Sequence, residues 1–156
     1  MTRFERRQTP HVMELHGSLR LATTEDLDSV LELDRATPVG RERNEYLTAR
    51  VHGGEVVVFE RDGRLLGYVV HRAKSFFGRD FVDLLAVDVA SRRHGIAGAL
   101  LESAVHSSST DRIFTSTNRS NTPMTEVLVK GGWQFSGELD GIDDGDPELV
   151  FYRDAH

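Results

Sequence analysis

The chain has no cysteine. That excludes disulfides, thiolate zinc ligands and a cysteine nucleophile, and it suits a reducing compartment, so a cytoplasmic location is expected. Long apolar runs are missing too. The stretch around Leu65, Leu66 and Tyr68 to Val70 falls far short of the roughly 20 residues that a membrane helix needs, and no membrane role is expected. Residues 1–10 (MTRFERRQTP) are charged and hold no apolar segment that could form a signal-peptide core. Excess positive charge is also absent. A net charge of −6 argues against a nucleic-acid partner, because a phosphate backbone calls for a basic face. It leans instead towards cationic small molecules or peptides. The seven histidines form no HxxxH or HxxE pair on a helix, so no metal is expected.

What is present fits one globular domain. A length of 156 residues allows a single core, and 38% apolar with 28% charged residues is the balance of a folded chain rather than a disordered one. Residues 1–18 lack a period and read as a flexible arm or an edge strand, leaving 19–156 as the domain. Leu19 and Leu21 mark a short strand, and Thr23 with Asp26 makes a capping-box pattern. The helix it opens buries Leu27, Val30 and Leu31, and Pro38 and Gly40 break it. A second helix at 41–51 carries a weak stripe of Tyr46, Leu47 and Val51. Extended runs follow at 55–60, 64–73 and 81–89, the first two joined by a hairpin signal at Arg61, Asp62 and Gly63. A helix at 95–106, a strand at 112–116, a helix at 121–130 and two closing strands at 133–137 and 148–152 complete the order. That order predicts an α/β fold layered around a mixed sheet.

The segment from Leu85 to Leu101 carries the chemistry. A buried strand runs into a short basic turn with glycine, which opens directly into an amphipathic helix. Helix N-termini present unpaired N–H groups and partial positive charge, so such a turn receives phosphate oxygens. Small residues at Gly95, Ala97 and Gly98 would let a diphosphate approach the main chain, with Arg92, Arg93 and His94 adding cationic character at the rim. The Walker and dinucleotide patterns are both absent. A glycine-capped helix with two solvated arginines is the plainer alternative.

The pattern Val87-x-x-x-x-Arg92-x-x-Gly95-x-Ala97 resembles the acyl-CoA signature of the GCN5-related N-acetyltransferases (GNAT). Downstream, Asn121-x-x-Met124-x-x-x-Leu128-x-Lys130-x-Gly132-Trp133 resembles a second segment of that family at the family's own spacing. The resemblance spans roughly residues 19–153. It implies a mixed, mostly antiparallel sheet of about six to seven strands flanked by about four helices. It implies acetyl-CoA as co-substrate without a metal, and direct attack of a primary amine on the thioester. It further implies that the strand before the loop splays from its neighbour, often at a bulge, so that Leu85, Ala86 and Val87 pair with the pantetheine arm. Arg92, Arg93, His94, Gly95, Ile96 and Ala97 would hold the pyrophosphate, with Asn121 contributing from the second segment.

The sequence departs from the family at one place. The tyrosine that often protonates the departing thiolate corresponds to Leu128, and Tyr46, Tyr68 and Tyr152 are expected on other elements. Water, Ser120 or the start of the helix at Asn121 would then stabilise the thiolate. Asp83, an acid inside an apolar strand, is the first candidate for the base that accepts the amine proton; the alternative is a sheet-edge partner of Arg72. His71 and Glu126 are lesser candidates. The acidic loop with Glu138, Asp140, Asp143, Asp144, Asp146 and Glu148 would attract a cationic amine if it flanks the acceptor cleft, or is simply solvated turn chemistry. Calcium is not expected there. Phe76 and Phe77 either gate that cleft or pack on the sheet. The acceptor is expected to be a small-molecule or peptide amine, and the chain a monomer or homodimer. Two other readings remain open, a non-catalytic acyl-CoA sensor and a protein or peptide N-acetyltransferase.

Overall fold

In the computed structural model, residues 15–34 and 41–156 are described. Most of the expected arm, together with the breakers Pro38 and Gly40, lies outside them. Seven strands, β1 (Ser18–Leu21), β2 (Val56–Arg61), β3 (Arg64–Phe76), β4 (Arg79–Val87), β5 (Arg112–Asn118), β6 (Gln134–Leu139) and β7 (Glu148–Asp154), form one sheet in the order β1-β2-β3-β4-β5-β7-β6. Every pairing is antiparallel except that of β4 with β5. Four helices flank the sheet: α1 (Leu27–Asp34), α2 (Arg41–His52), α3 (Ile96–His106) and α4 (Thr122–Lys130). The expected α/β class, strand count and helix count are therefore observed.

The period-two pattern of the strands divides the core into two layers. Val56, Val58, Tyr68 and Val70 turn towards α1 and α2, where they meet Val30, Leu47 and Val51. Phe59, Leu66, Val69, Val82 and Ile113 turn the other way, against Ile96, Leu100, Leu101 and Leu128. Each side chain fully removed from water in this way contributes about 1.5–3 kcal/mol. Helix α3 presents Ile96, Leu100, Leu101, Ala104 and Val105 at helical spacing, all buried. Its first turn lies close on β3 because Gly67 has no side chain: a Cβ there would come within 3.0 Å of the Ala86 carbonyl and 3.2 Å of Ile96 Cγ2.

The capping box at Thr23 is formed, with the Thr23 N–H donating to Asp26 Oδ2 at 2.8 Å. Arg20 forks onto the same carboxylate at 2.7 and 2.9 Å, which ties β1 to the entry of α1. The stripe of α1 differs from the expected one. Val30 is buried, Leu27 and Leu31 are half-buried, and the acidic Asp34 is only 1% exposed. The reason is a partner far along the chain: the Tyr68 hydroxyl donates to Asp34 Oδ1 at 2.5 Å, and Arg43 Nη2 donates to the same oxygen at 3.1 Å. Burial, and then Asp34, push the Tyr68 phenol upward, so it stays protonated and a donor.

Candidate functional site

The pairing of β4 with β5 is short. Asp80 meets Ile113, Phe81 meets Phe114 and Val82 meets Thr115, and there the ladder ends. Strand β5 continues with β7 as far as Asn118, and β4 continues with β3 as far as Val87. The two strands therefore part beyond Val82, and the main-chain groups of residues 84–87 that face β5 have no strand beside them.

A bulge sits at the point of parting. On β3, Val70 pairs with Leu84 and His71 with Val82, so Asp83 is an extra residue without a partner. In a regular strand, residues 82 and 84 would share a face. Here Val82 joins the layer under α3, whereas Leu84 joins the layer under α1 and α2. Such an insertion bends its strand and strengthens the local twist, which carries β4 away from β5.

Beyond Val87 a 3-10 turn (Val89–Ser91) leads into the basic loop. Arg92 is extended, Arg93 is left-handed at φ 65° and Gly95 is left-handed at φ 84°. Glycine takes that conformation without strain. The first helical bond of α3 runs from the Ala99 N–H to the Gly95 carbonyl at 3.1 Å, so the amides of Ile96, Ala97 and Gly98 precede the hydrogen-bonded ladder. Ile96 is anchored in the core at 1% exposure. Arg92, Arg93 and His94 lie around this helix start, all three exposed, with Arg92 Nε donating to the Val87 carbonyl at 3.2 Å. Unpaired amides, a helix N-terminus and cationic side chains converge on one spot, a combination that accepts an anion. Two clefts of about 890 and 640 Å³ flank this loop, one lined by His94 with Gly63 and the other by Val87 with Arg64. Neither is lined by Asp83.

Asp83 is exposed and accepts a hydrogen bond from the hydroxyl of Tyr46, carried by α2. Arg72 does not pair with Asp83. Its guanidinium gives Nε to Glu55 Oε2 at 3.1 Å. Arg50 reaches the other Glu55 oxygen at 2.9 Å, with its guanidinium 5.1 Å from the centre of the Tyr46 ring. Burial, then the bond to Asp83, push the Tyr46 phenol upward, so it remains a donor. In the sequence Tyr46 stands out only as part of a helix stripe. Its position one residue before the buried Leu47 is the available signal, but the bulge that meets it is a tertiary feature.

The other candidates make contacts elsewhere in the fold. His71 Nε2 lies 2.7 Å from Asp80 Oδ2, and Asp80 is fully buried. Asp80 also accepts from the Ser109 N–H and hydroxyl and from the Lys74 N–H, so His71 belongs to a staple joining the β3–β4 hairpin to the end of α3. Glu126 is exposed on α4. Ser120 donates its hydroxyl to Asp146 Oδ2 at 2.6 Å and its N–H to Oδ1 at 3.0 Å, which commits its proton to a carboxylate. Asn121 caps α4, its Oδ1 accepting from the Met124 N–H at 3.3 Å. In the acidic loop, Asp143 accepts from the Asn118 amide at 2.8 Å and Glu138 pairs with Arg119. With Asp146, these carboxylates hold the β5–α4 turn; Asp140 and Asp144 are exposed. Leu128 is fully buried in the core. Phe76 stacks on Phe81 at 4.9 Å while Phe77 is 93% exposed, so one of the pair packs and the other does not.

Comparison with known proteins bears on this geometry. The family model described as Acetyltransferase (GNAT) family matches residues 21–132. A GNAT-family acetyltransferase from Bacillus cereus is 32% identical, with a TM-score of 0.83 over 88% of this chain and 96% of that one. YncA, a putative acetyltransferase from Salmonella typhimurium in a structure with its cofactor acetyl-CoA, shares the fold at 16% identity and a TM-score of 0.73, covering 91% and 95% of the two chains. Arabidopsis thaliana NAA60, in complex with a bisubstrate analogue, does so at 20% identity and 0.72, over 88% and 97%. No curated relative matches the sequence. The family match over residues 21–132, which takes in the bulged strand, the basic loop and α4, shows that the chain belongs to the GNAT acetyltransferases.

Proposed function

We propose that this chain transfers an acetyl group from acetyl-CoA to a primary amine by direct attack on the thioester. The observation that carries the reading is the unpaired edge of β4, which runs from the Asp83 bulge to the left-handed loop ahead of α3. An amide-bearing pantetheine arm would add to that edge at Leu85, Ala86 and Val87 as a strand adds to a sheet. The pyrophosphate would then reach residues 92–97, whose helix-start amides and cations suit it. With the arm so seated, the thioester carbonyl lies beside the main chain near Ala86, where an N–H can stabilise the developing oxyanion.

Asp83 is the base in this scheme. An alkylamine has a pKa of about 10.4, so at neutral pH it arrives as an ammonium ion and must lose a proton before it can attack. Asp83 accepts that proton, the nitrogen bonds to the carbonyl carbon, and collapse of the tetrahedral adduct breaks the C–S bond. The nitrogen gives up its second proton through water to the departing thiolate, leaving amide and CoA. A thiol pKa of about 8.5 makes this leaving group tolerable without a strong acid. Because Asp146 takes the Ser120 hydroxyl proton, the start of α4 at Asn121 is the group proposed to flank it.

The test is amine-dependent release of thiol from acetyl-CoA, followed with a thiol reagent to which a cysteine-free protein contributes no background. Asp83→Asn should lower turnover by about 10²–10⁴-fold while leaving protection by CoA unchanged. Undiminished turnover would remove Asp83 from the mechanism. A second reading, a non-catalytic acyl-CoA sensor, is favoured by the burial of Leu128 where the family pattern has a tyrosine. It predicts protection by acetyl-CoA with no thiol release for any amine or peptide.

A further inference from the structure

We infer that Tyr46 is the positioning residue of the catalytic carboxylate, holding one oxygen of Asp83 so that the other is presented to the acceptor amine. This role rests on the proposed function above. Asp83 occupies an exposed bulge, where an aspartate side chain is otherwise free to exchange rotamers. The Tyr46 hydroxyl donates to Oδ2, and among the described residues no donor reaches Oδ1.

The direction of that bond is fixed by its partner. An ionised carboxylate has acceptors only, so the single phenol proton of Tyr46 is given to Asp83. Arg72 is in turn held by Glu55 at 3.1 Å, and Arg50 holds the second oxygen of Glu55 at 2.9 Å while lying over the Tyr46 ring. The charged and titratable groups facing Asp83 on this side are thus Tyr46 and Arg50 from α2, Arg72 from β3 and Glu55 from the turn before β2. The Asp34, Arg43 and Tyr68 cluster lies deeper on the same face, and His71 with Asp80 forms a separate cluster. Arg50, over the ring, and Arg72 share the Glu55 carboxylate, which braces the α2 side of the contact. An α2 residue thereby sets the geometry of a β4 base, and reacting groups misplaced by about 1 Å lose rate steeply.

Two experiments decide the matter. The first needs no turnover: phenol absorbance is titrated in the parent chain, in Asp83→Asn and in Tyr46→Phe, whose difference from the parent identifies the Tyr46 signal. Removing the carboxylate should let Tyr46 ionise at lower pH, because Asp83 now raises it. An unmoved Tyr46 signal would overturn the contact and the inference with it. The second is kinetic. Tyr46→Phe should lower kcat by about ten- to a hundredfold with KM for acetyl-CoA unchanged. The double variant Tyr46→Phe with Asp83→Asn should be no slower than Asp83→Asn alone, as required of a residue acting through another. Full kcat, or additive losses, would overturn the positioning role. Absence of turnover in the parent chain would overturn the proposed function itself, and the absorbance titration would still report the contact separately.

Discussion

Gly95 gives the sharpest separation between a phosphate cradle and a structural turn. Its φ of 84° lies in the left-handed region, yet a Cβ there would meet only Leu15 Cδ1, at 3.9 Å. Gly95→Ala therefore introduces no clash, and its cost is the backbone conformation alone, about 1–2 kcal/mol. For a domain of this size that lowers Tm by roughly 2–8 °C. Gly78, in the β3–β4 turn at the other end of β4, supplies a matched control: its φ is 76° and a Cβ would meet nothing within 4 Å. Gly78→Ala should lose about the same stability. The two should differ in CoA affinity, measured by calorimetry. Relaxing the strain at Gly95 reorients amides that bond the diphosphate, and each charge-assisted hydrogen bond is worth about 1.5–3 kcal/mol, a loss of about ten- to a hundredfold in Kd. Gly78→Ala should bind as the parent does. Equal affinities for the two variants would refute the cradle.

Other outcomes follow from the same structure. Gly98 lies in the first turn of α3, where an added Cβ would meet nothing within 4 Å; Gly98→Ala should stabilise the ligand-free protein by about 0.5–1 kcal/mol in chemical denaturation. Asp80→Ala strands the Ser109 and Lys74 amides, and should cost about 3 kcal/mol in the same assay. Burial opposes ionisation of Asp80, but the Ser109 amide and hydroxyl, the Lys74 amide and His71 outweigh it and hold the carboxyl down at about 2. Because the folded value is depressed, the associated stability is present above the ordinary carboxylate range and is lost as pH falls through about 4 towards 2. Acid denaturation of Asp80→Asn should show a weaker dependence across that window; an unchanged dependence would count against the staple.

Much of the fold was legible because it rests on local pattern. The β-rich runs of β2 and β3, the β-turn at Asp62 and Gly63 (φ 52° and 75°) and the stripe of α3 follow from residue propensity, turn chemistry and helical period. The loop from Arg92 to the start of α3 was legible for the same reason, since its glycine and arginines are contiguous. Asp34 was not, because what makes a buried carboxylate tolerable is a phenol 34 residues away. The bulge was half visible: an acid within an apolar strand marked Asp83, but the register shift that leaves it unpaired depends on β3. Tyr46 was not legible because its hydrogen-bond partner is 37 residues distant. The contacts of Ser120 and Asp143 with their neighbours across the β5–α4 turn were hidden by the same separation.

The central claim is tested most directly by thermal unfolding in the presence of acetyl-CoA, CoA, ATP and NAD at matched concentrations. A ligand that binds only the folded chain stabilises it by about 2.7 kcal/mol at a hundredfold excess over Kd, or roughly 5–10 °C here. Seating of CoA on the parted strand and the loop should give such a shift with acetyl-CoA and CoA and little with ATP or NAD. No shift with either CoA species would contradict it, leaving the loop ahead of α3 as a turn and the parted strands without a ligand.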